Sequence, residues 1–151
     1  MAETRGVMVF AEQTEGRVHP VAYELLGKGR EIADTLGVEL SAALIGDDIE
    51  AEAYELIYRG ADVVYLFEDK ALATFDIMNY RRNMVDLVNE TKPEVLLLGA
   101  TAIGRSLGPR LAAALGTGLT ADCTALEVDQ ERHLIQIRPA FSGNILAHIK
   151  T

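Results

Sequence analysis

The sequence predicts a single α/β domain in which helices cover both faces of an open, mostly parallel sheet. Three observations lead to this prediction. Apolar runs alternate with amphipathic segments of helical spacing as far as Leu115. The segment Glu94–Gly99 (EVLLLG) is apolar after its first residue, as in strands buried on both faces of a parallel sheet. After Gly118, strand-like segments follow one another without a helix, so antiparallel strands are expected at the C-terminal end.

Four strand–helix units precede this tail. The strands are predicted at Val7–Ala11, Val38–Ile45, Asp62–Phe67 and Glu94–Gly99. The helices are predicted at Pro20–Leu36, from Asp47 to Arg59, at Phe75–Glu90 and at Arg105–Leu115. The tail comprises Ala121–Val128, His133–Pro139 and Asn144–Lys150. This order of elements indicates a three-layer arrangement.

Helix starts are predicted from local signals. His19 followed by Pro20 suits the start of the first helix, because proline is favoured at the first helical position. Asp47 with Glu50 three residues later resembles a capping box. Thr74 is expected to cap the third helix, and Pro109 to lie in the first turn of the fourth helix or at a kink.

Length and composition indicate one soluble domain. The chain has 151 residues, of which 49% are hydrophobic and 25% charged, as in ordinary globular proteins. There is no run of about 18 apolar residues and no signal-peptide layout at the first residues, so we expect a cytoplasmic protein without membrane insertion.

The charge is acidic and unevenly distributed. The formal net charge is −9, which argues against nucleic-acid binding. Residues 1–75 carry 15 acids and 6 bases, whereas residues 76–151 carry 8 of each. The second half therefore has no net repulsion to overcome and is the better candidate for packing against another subunit.

The segment 99–123 offers the main candidate for a binding site. An apolar strand ends in Gly99, a short loop follows, and Gly104 and Arg105 stand at the start of a helix. Such helix N-termini attract phosphate, and Arg105 would add a charged donor. The alternative is that the glycines permit a tight turn while Arg105 pairs with an acid elsewhere. Neither a dinucleotide-binding nor a Walker motif is present.

The segment RPAFSGN, residues 138–144, is the second candidate. Arg138, Phe141 and Asn144 on one hairpin could form a tip that contacts a partner. Equally, this could be an ordinary hairpin with Phe141 in the core.

Catalytic constellations are not found in the sequence. The three histidines, His19, His133 and His148, lack metal-ligand spacing. Cys123 follows Asp122, which disfavours a nucleophilic thiolate, so a core role is expected. The acids Asp47, Asp48, Glu50 and Glu52 are interpreted as a solvated helix start rather than a metal cluster. We therefore expect no enzyme and no metal site.

Three segments carry a resemblance to a known family. They are VMVFAEQTEGRVHPVAYELLGKGREIAD at 7–34, GATAIGRSLGPRLAAALGTGLTADCTALE at 99–127 and RPAFSGNILA at 138–147. They closely resemble the N-terminal domain of the electron transfer flavoprotein alpha subunit. The resemblance implies an adenine-nucleotide-binding α/β fold, similar to universal stress proteins. It also implies a heterodimer with a beta subunit that carries electrons between dehydrogenases, such as acyl-CoA dehydrogenase, or NADH and an acceptor.

The family's shuttling FAD is carried by a C-terminal domain with Ser-Arg-Pro and Gln-x-Gly-x-Thr-Gly motifs, which this sequence lacks. We therefore expect residues 1–151 to be the N-terminal domain alone, with no cofactor bound by it and with FAD in the full heterodimer. Isolated from its beta subunit, such a domain is expected to self-associate. The resemblance does not indicate whether the parent complex bifurcates electrons.

The resemblance also implies roles for named residues. In this family the bound nucleotide lies in the beta subunit, so Gly104 and Arg105 are assigned to subunit packing. Arg138, Phe141, Ser142 and Asn144 are expected to face the beta subunit near its nucleotide. Ser142 departs from the family, which commonly has a second glycine there. The alternative function is a stress-type nucleotide-binding module, but Gly104 and Gly116-Thr117 lack the spacing of its motif.

Overall fold

The computed structural model of the chain describes residues 6–116 with their side chains, and beyond them the backbone of four strands. The strands are β1 (Val7–Ala11), β2 (Gln13–Thr14), β3 (Arg17–Val18), β4 (Leu40–Gly46), β5 (Val63–Glu68), β6 (Val95–Gly99), β7 (Gly118–Cys123), β8 (Ala125–Val128), β9 (Leu134–Ile137) and β10 (Ile145–Ile149). The helices are α1 (Pro20–Leu36), α2 (Glu50–Tyr58), α3 (Ile77–Thr91) and α4 (Ala102–Leu115), and a 3-10 turn covers Lys70–Leu72.

Six strands form the central sheet in the order β5-β4-β1-β6-β10-β7. The first four are mutually parallel, and β10 runs antiparallel to both β6 and β7. The pairs β2-β3 and β8-β9 are separate antiparallel hairpins. The predicted parallel sheet with antiparallel strands added from the C-terminal end is confirmed.

Alternate residues of the central strands enter two separate cores. Val7 and Val9 of β1 pack in the cluster that contains the buried residues of α1 and α2. Met8 and Phe10 pack in the cluster that contains the buried residues of α3 and α4. Since successive side chains of a strand point to opposite faces, the helices lie as two layers with the sheet between them. The three-layer prediction is thereby confirmed.

Two predicted helix caps are wrong. Ile49, not Asp47, is the N-cap of α2, and it makes no side-chain capping bond. Instead the Ile49 amide donates to the Glu68 carboxylate at the end of β5, 3.1 Å away. The acids of the expected capping box therefore lie at the helix start without capping it. The third helix is capped by Asp76, which accepts from two backbone amides, rather than by Thr74.

The fourth helix and the tail also differ from the prediction. Helix α4 begins at Ala102, three residues before the expected start, because Thr101 caps it. Pro109 consequently lies inside the helix rather than in its first turn, and the other alternative, a kink at Pro109, stays a prediction. The tail contains four strands instead of three, since the expected strand Ala121–Val128 corresponds to β7 and β8. In the part of the chain that the structure describes, no helix combines the length and apolar character that a membrane crossing requires.

Candidate functional site at the carboxyl edge of the sheet

The fold places a topological switch point between β1 and β6. After β1 the chain passes into α1 on one face of the sheet, and after β6 it passes into α4 on the other face. Ligands of open α/β sheets bind in the crevice outside such carboxyl ends. The residues that follow the two strands, Glu12 and Thr101, therefore occupy the position where a ligand is expected.

Glu12 fills this position with its own carboxylate. Its side chain is buried, with 3% of its surface exposed, and its Oε1 accepts a hydrogen bond of 2.6 Å from the Thr101 hydroxyl. The same hydroxyl oxygen accepts from the Gly104 amide at 3.0 Å and so caps α4. A helix N-terminus favours a negative charge. The Glu12 carboxylate lies beside this helix N-terminus and accepts from its capping residue.

Two glycines allow this close arrangement. A Cβ atom on Gly104 would overlap the carbonyl oxygen of Gly99, and a Cβ on Gly99 would lie 2.8 Å from a Val21 methyl group and 3.2 Å from Glu12 Oε1. Gly104 is therefore required for packing within this chain. Its predicted place in a subunit interface stays a prediction.

Gln13 joins this edge of the sheet to the helices beyond it. Its buried side-chain amide donates to the Ala73 carbonyl at 3.2 Å and to the Tyr80 hydroxyl at 3.1 Å. The Tyr80 hydroxyl donates to the Leu72 carbonyl at 2.7 Å. Burial raises the pKa of Tyr80, although the bond from Gln13 opposes that shift. These polar groups satisfy one another and thereby fix the loop after β1.

A cleft of about 700 Å³ opens beside these residues. It is lined by Gln13–Gly16, Asp47, Asp48, Ala73–Phe75 and Ile103. The hairpin β2-β3 forms one wall, and its turn residues Glu15 and Gly16 both have positive φ, as a type I′ turn requires. Among the lining residues that the structure describes, three are acidic and none is basic. This charge disfavours phosphate groups in the described part of the cleft.

Arg105, predicted to hold phosphate or to pack against a subunit, lies on the surface. Its Nε donates to the Ala100 carbonyl at 3.3 Å, so part of the guanidinium is held against the loop that leads from β6 into α4. The amide of Gly104, which a phosphate would need, is already engaged by Thr101. The loop of residues 99–105 therefore has the features of a capped, tightly packed turn.

The other predicted site residues have different outcomes. His19 is confirmed at the start of α1, where its Nδ1 accepts from the Val21 amide at 3.0 Å. Arg138, Phe141, Ser142 and Asn144 lie outside the described residues, as do His133 and the side chains of Cys123 and His148. Within the described part of the chain, no group of three or more acids, histidines or cysteines is arranged to hold a metal ion.

Glu12, Gln13 and Thr101 were not predicted as site residues. The signals were nevertheless in the sequence. Glu12 and Gln13 directly follow the apolar run of β1. Thr101 is separated from the end of β6 by a single alanine. Threonine is a typical N-cap residue. Because the helix was predicted to begin only at Arg105, Thr101 was interpreted as part of the preceding loop. Only the pairing of β1 with β6 brings these residues together.

Comparison with known proteins identifies the family. The family model described as the electron transfer flavoprotein domain matches residues 7–151. The electron transfer flavoprotein subunit alpha of Clostridium acetobutylicum is 53% identical over 149 residues, which are 98% of this chain and 44% of that protein. The corresponding subunit of Megasphaera elsdenii is 49% identical, with 99% of this chain and 44% of the relative covered.

A third relative comes from a named dehydrogenase complex. Subunit LctC of the lactate dehydrogenase (NAD(+),ferredoxin) of Acetobacterium woodii is 46% identical over 97% of this chain and 35% of its own length. The chain thus spans less than half the length of these three relatives. Because the family model and the relatives match nearly all of its residues, the chain belongs to the electron transfer flavoprotein domain family.

Proposed function

We propose that residues 1–151 form a non-catalytic scaffold within a heterodimeric electron carrier. In this role the domain packs on a beta subunit and anchors the part of the assembly that carries FAD. The observation that carries the proposal is the buried Glu12 carboxylate at the switch point, bonded to the cap of α4. A carboxylate at this position disfavours a phosphate, which supports a place for the redox cofactor elsewhere in the assembly.

The partners follow from the family. A beta subunit is the direct partner, and a dehydrogenase supplies or receives electrons through the complex. The Acetobacterium woodii relative, named as a subunit of a lactate dehydrogenase, supports a role beside such an enzyme. Gly104 and Arg105 are proposed to lie near the subunit contact. Arg138, Phe141, Ser142 and Asn144 are proposed to face the nucleotide of the beta subunit.

The visible absorption spectrum tests the scaffold role directly. The purified chain should be colourless and should stay so after FAD is added and removed by gel filtration. With FAD and a beta subunit present, it should elute as a heterodimer. A yellow chain without its partner would mean that this domain holds flavin itself, and the role given to Glu12 would be wrong.

The proposed beta-subunit contact has its own test. Arg138→Ala should weaken association with the beta subunit and alter its flavin spectrum, because a charge that faces the nucleotide is lost. Arg17→Ala on strand β3, an exposed residue outside the proposed contact, serves as the control. If Arg138→Ala leaves both readouts unchanged, the assignment of residues 138–144 to this contact fails.

The alternative, a stress-type nucleotide-binding module, predicts a different result. A ligand that binds only the folded state raises stability by an amount that grows with its concentration. Millimolar ATP should therefore raise the unfolding temperature if the chain binds nucleotide. We expect no rise, because Glu12 and the three acids that line the cleft oppose a triphosphate.

A further inference from the structure

Helix α2 carries an apolar stripe on its outer side. Tyr54, Ile57 and Tyr58 have 63%, 47% and 90% of their surface exposed. Residues three and four apart are neighbours on one face of a helix, so the three side chains form one continuous patch. Large apolar side chains grouped in this way mark interaction sites more often than isolated ones do.

Among the described residues, neither buried cluster includes a side chain of the stripe. The opposite face of α2 packs into the core through Ala53 and Leu56, and Ile49 is buried directly before the helix. These contacts fix the orientation of the helix. Removal of the two tyrosine rings would therefore leave the core intact.

Acidic residues predominate in the sequence around the stripe. Residues 47–59 contain five acids and a single base, Arg59. Arg59 forms an ion pair of 2.8 Å with Glu55 and lies 4.0 Å from the centre of the Tyr23 ring on α1. Asp48 and Glu50 remain exposed at the start of the helix. The patch is thus apolar, with exposed negative charge at the N-terminal end of the helix.

We propose that this α2 surface is a docking site for a partner protein whose contact surface has lysine or arginine residues beside an apolar centre. Charge complementarity selects this partner, because opposite charges at the N-terminal end of α2 favour association while the tyrosines and Ile57 lose water. A second α2 surface, a nucleic acid or an anionic membrane would meet like charge. The proposed partner is a protein other than the beta subunit, whose contact the proposed function assigns to Gly104, Arg105 and residues 138–144.

Site-specific photo-crosslinking tests the proposal. Benzoylphenylalanine is placed at Tyr54 or Tyr58 in the natural protein in its own host, and the attachment point of each adduct is mapped by mass spectrometry. Met78, which is 60% exposed on α3, is the control position. We expect both α2 positions to crosslink to the same surface of one other protein, next to lysine or arginine residues, and Met78 not to do so.

A matched pair of charge variants makes the test specific. Ala51 is exposed on the same side of α2 as Tyr54 and Tyr58. Ala51→Lys should reduce the adduct by about tenfold or more, because it places a cation opposite the partner's cations, whereas Ala51→Glu should retain it. Circular dichroism verifies that both variants fold. The proposal is wrong if no adduct forms, if the adduct is the beta subunit or a second copy of this chain, or if the two variants behave alike.

Discussion

At the scale of single residues, Glu12 determines what the carboxyl edge of the sheet is able to bind. An isolated buried carboxylate is costly, and it needs donors close by. The Thr101 hydroxyl supplies one such donor, and it links the charge to the positive end of α4. Other open α/β proteins bind phosphate with the free backbone amides of a helix N-terminus. In this chain a carboxylate lies at that position instead.

Thr101 should consequently be sensitive to loss of its hydroxyl. Thr101→Val keeps the shape but removes both the donor to Glu12 and the acceptor for the Gly104 amide. We expect the free energy of unfolding to fall by about 2 kcal/mol, as for a lost cap and a buried group without its partner. Urea denaturation measures this. Thr101→Ser keeps the hydroxyl and should retain most of the stability; equal losses in the two variants would exclude the hydrogen bonds as the cause.

Asp62 gives a pH-dependent prediction at the same scale. Its carboxylate accepts from the Leu40 amide at 2.9 Å and from the Arg30 guanidinium at 3.1 Å. The Leu40 amide first, and then Arg30, hold the pKa of Asp62 below its ordinary value. A lowered pKa contributes stability above the ordinary value of about 4, and this stability is lost as the pH falls through the folded-state pKa.

Asp62→Asn should therefore destabilise the protein at pH 7, and the difference from the natural protein should narrow as the pH falls below about 4. Urea midpoints at pH 7 and pH 3 measure it. Asp34→Asn is the control, because Asp34 also pairs with Arg30 but does not bind the Leu40 amide. A difference that stays constant with pH would show that the charge of Asp62 is not what stabilises this contact.

At the scale of secondary structure elements, the packing of α4 on β6 depends on the absence of one side chain. Gly104→Ala should force α4 away from the Gly99 carbonyl and cost about 3 kcal/mol, the upper range for overpacking. Gly27→Ala is the matched control, because Gly27 is also helical but a Cβ there meets nothing within 4 Å. It should stabilise α1 by about 0.5–1 kcal/mol. Thermal unfolding of both variants would show opposite shifts; a stabilised Gly104→Ala would contradict the close approach.

The elements also show what the sequence could predict. Periodicity and apolar runs located the parallel strands and the four helices. A helix or strand buried on one face has apolar residues at regular spacing, and a strand buried on both faces is apolar throughout. The starts of α2, α3 and α4 were less predictable. Several residues near each start offer capping groups, and the choice among them depends on distant partners, such as Glu68 bonding the Ile49 amide. For the same reason, the pairing of Glu12 with Thr101, 89 residues apart, was not predictable from local patterns.

At the scale of the whole molecule, the acidic charge is concentrated in the first half of the chain. Residues 1–75 hold 15 acids and 6 bases, and they include β1, β4, β5 and the acidic helix α2. The second half, with 8 of each, supplies α3, α4, β6 and the added antiparallel strands. Electrostatic repulsion between two copies of the chain therefore comes mainly from residues 1–75. We expect copies to associate through residues 76–151, which carry no net charge.

This asymmetry predicts that self-association of the isolated chain depends on salt. Raising NaCl from about 0.01 M to about 1 M shortens the screening length from about 30 Å to about 3 Å, which weakens repulsion between chains of net charge −9. Sedimentation equilibrium should show a weight-average mass that rises with protein concentration, and more steeply at high salt. Addition of the beta subunit should replace self-association with a heterodimer.

The double variant Tyr54→Ser, Tyr58→Ser separates the two surfaces. If chains associate through the neutral half, the variant should self-associate like the natural protein, because its changes lie on the acidic half. If the chain is a monomer at every protein and salt concentration, it has no surface through which copies associate, and the predicted self-association is wrong. Association abolished by the tyrosine changes alone would instead place the contact between copies on α2, which would also overturn the partner proposed for that surface.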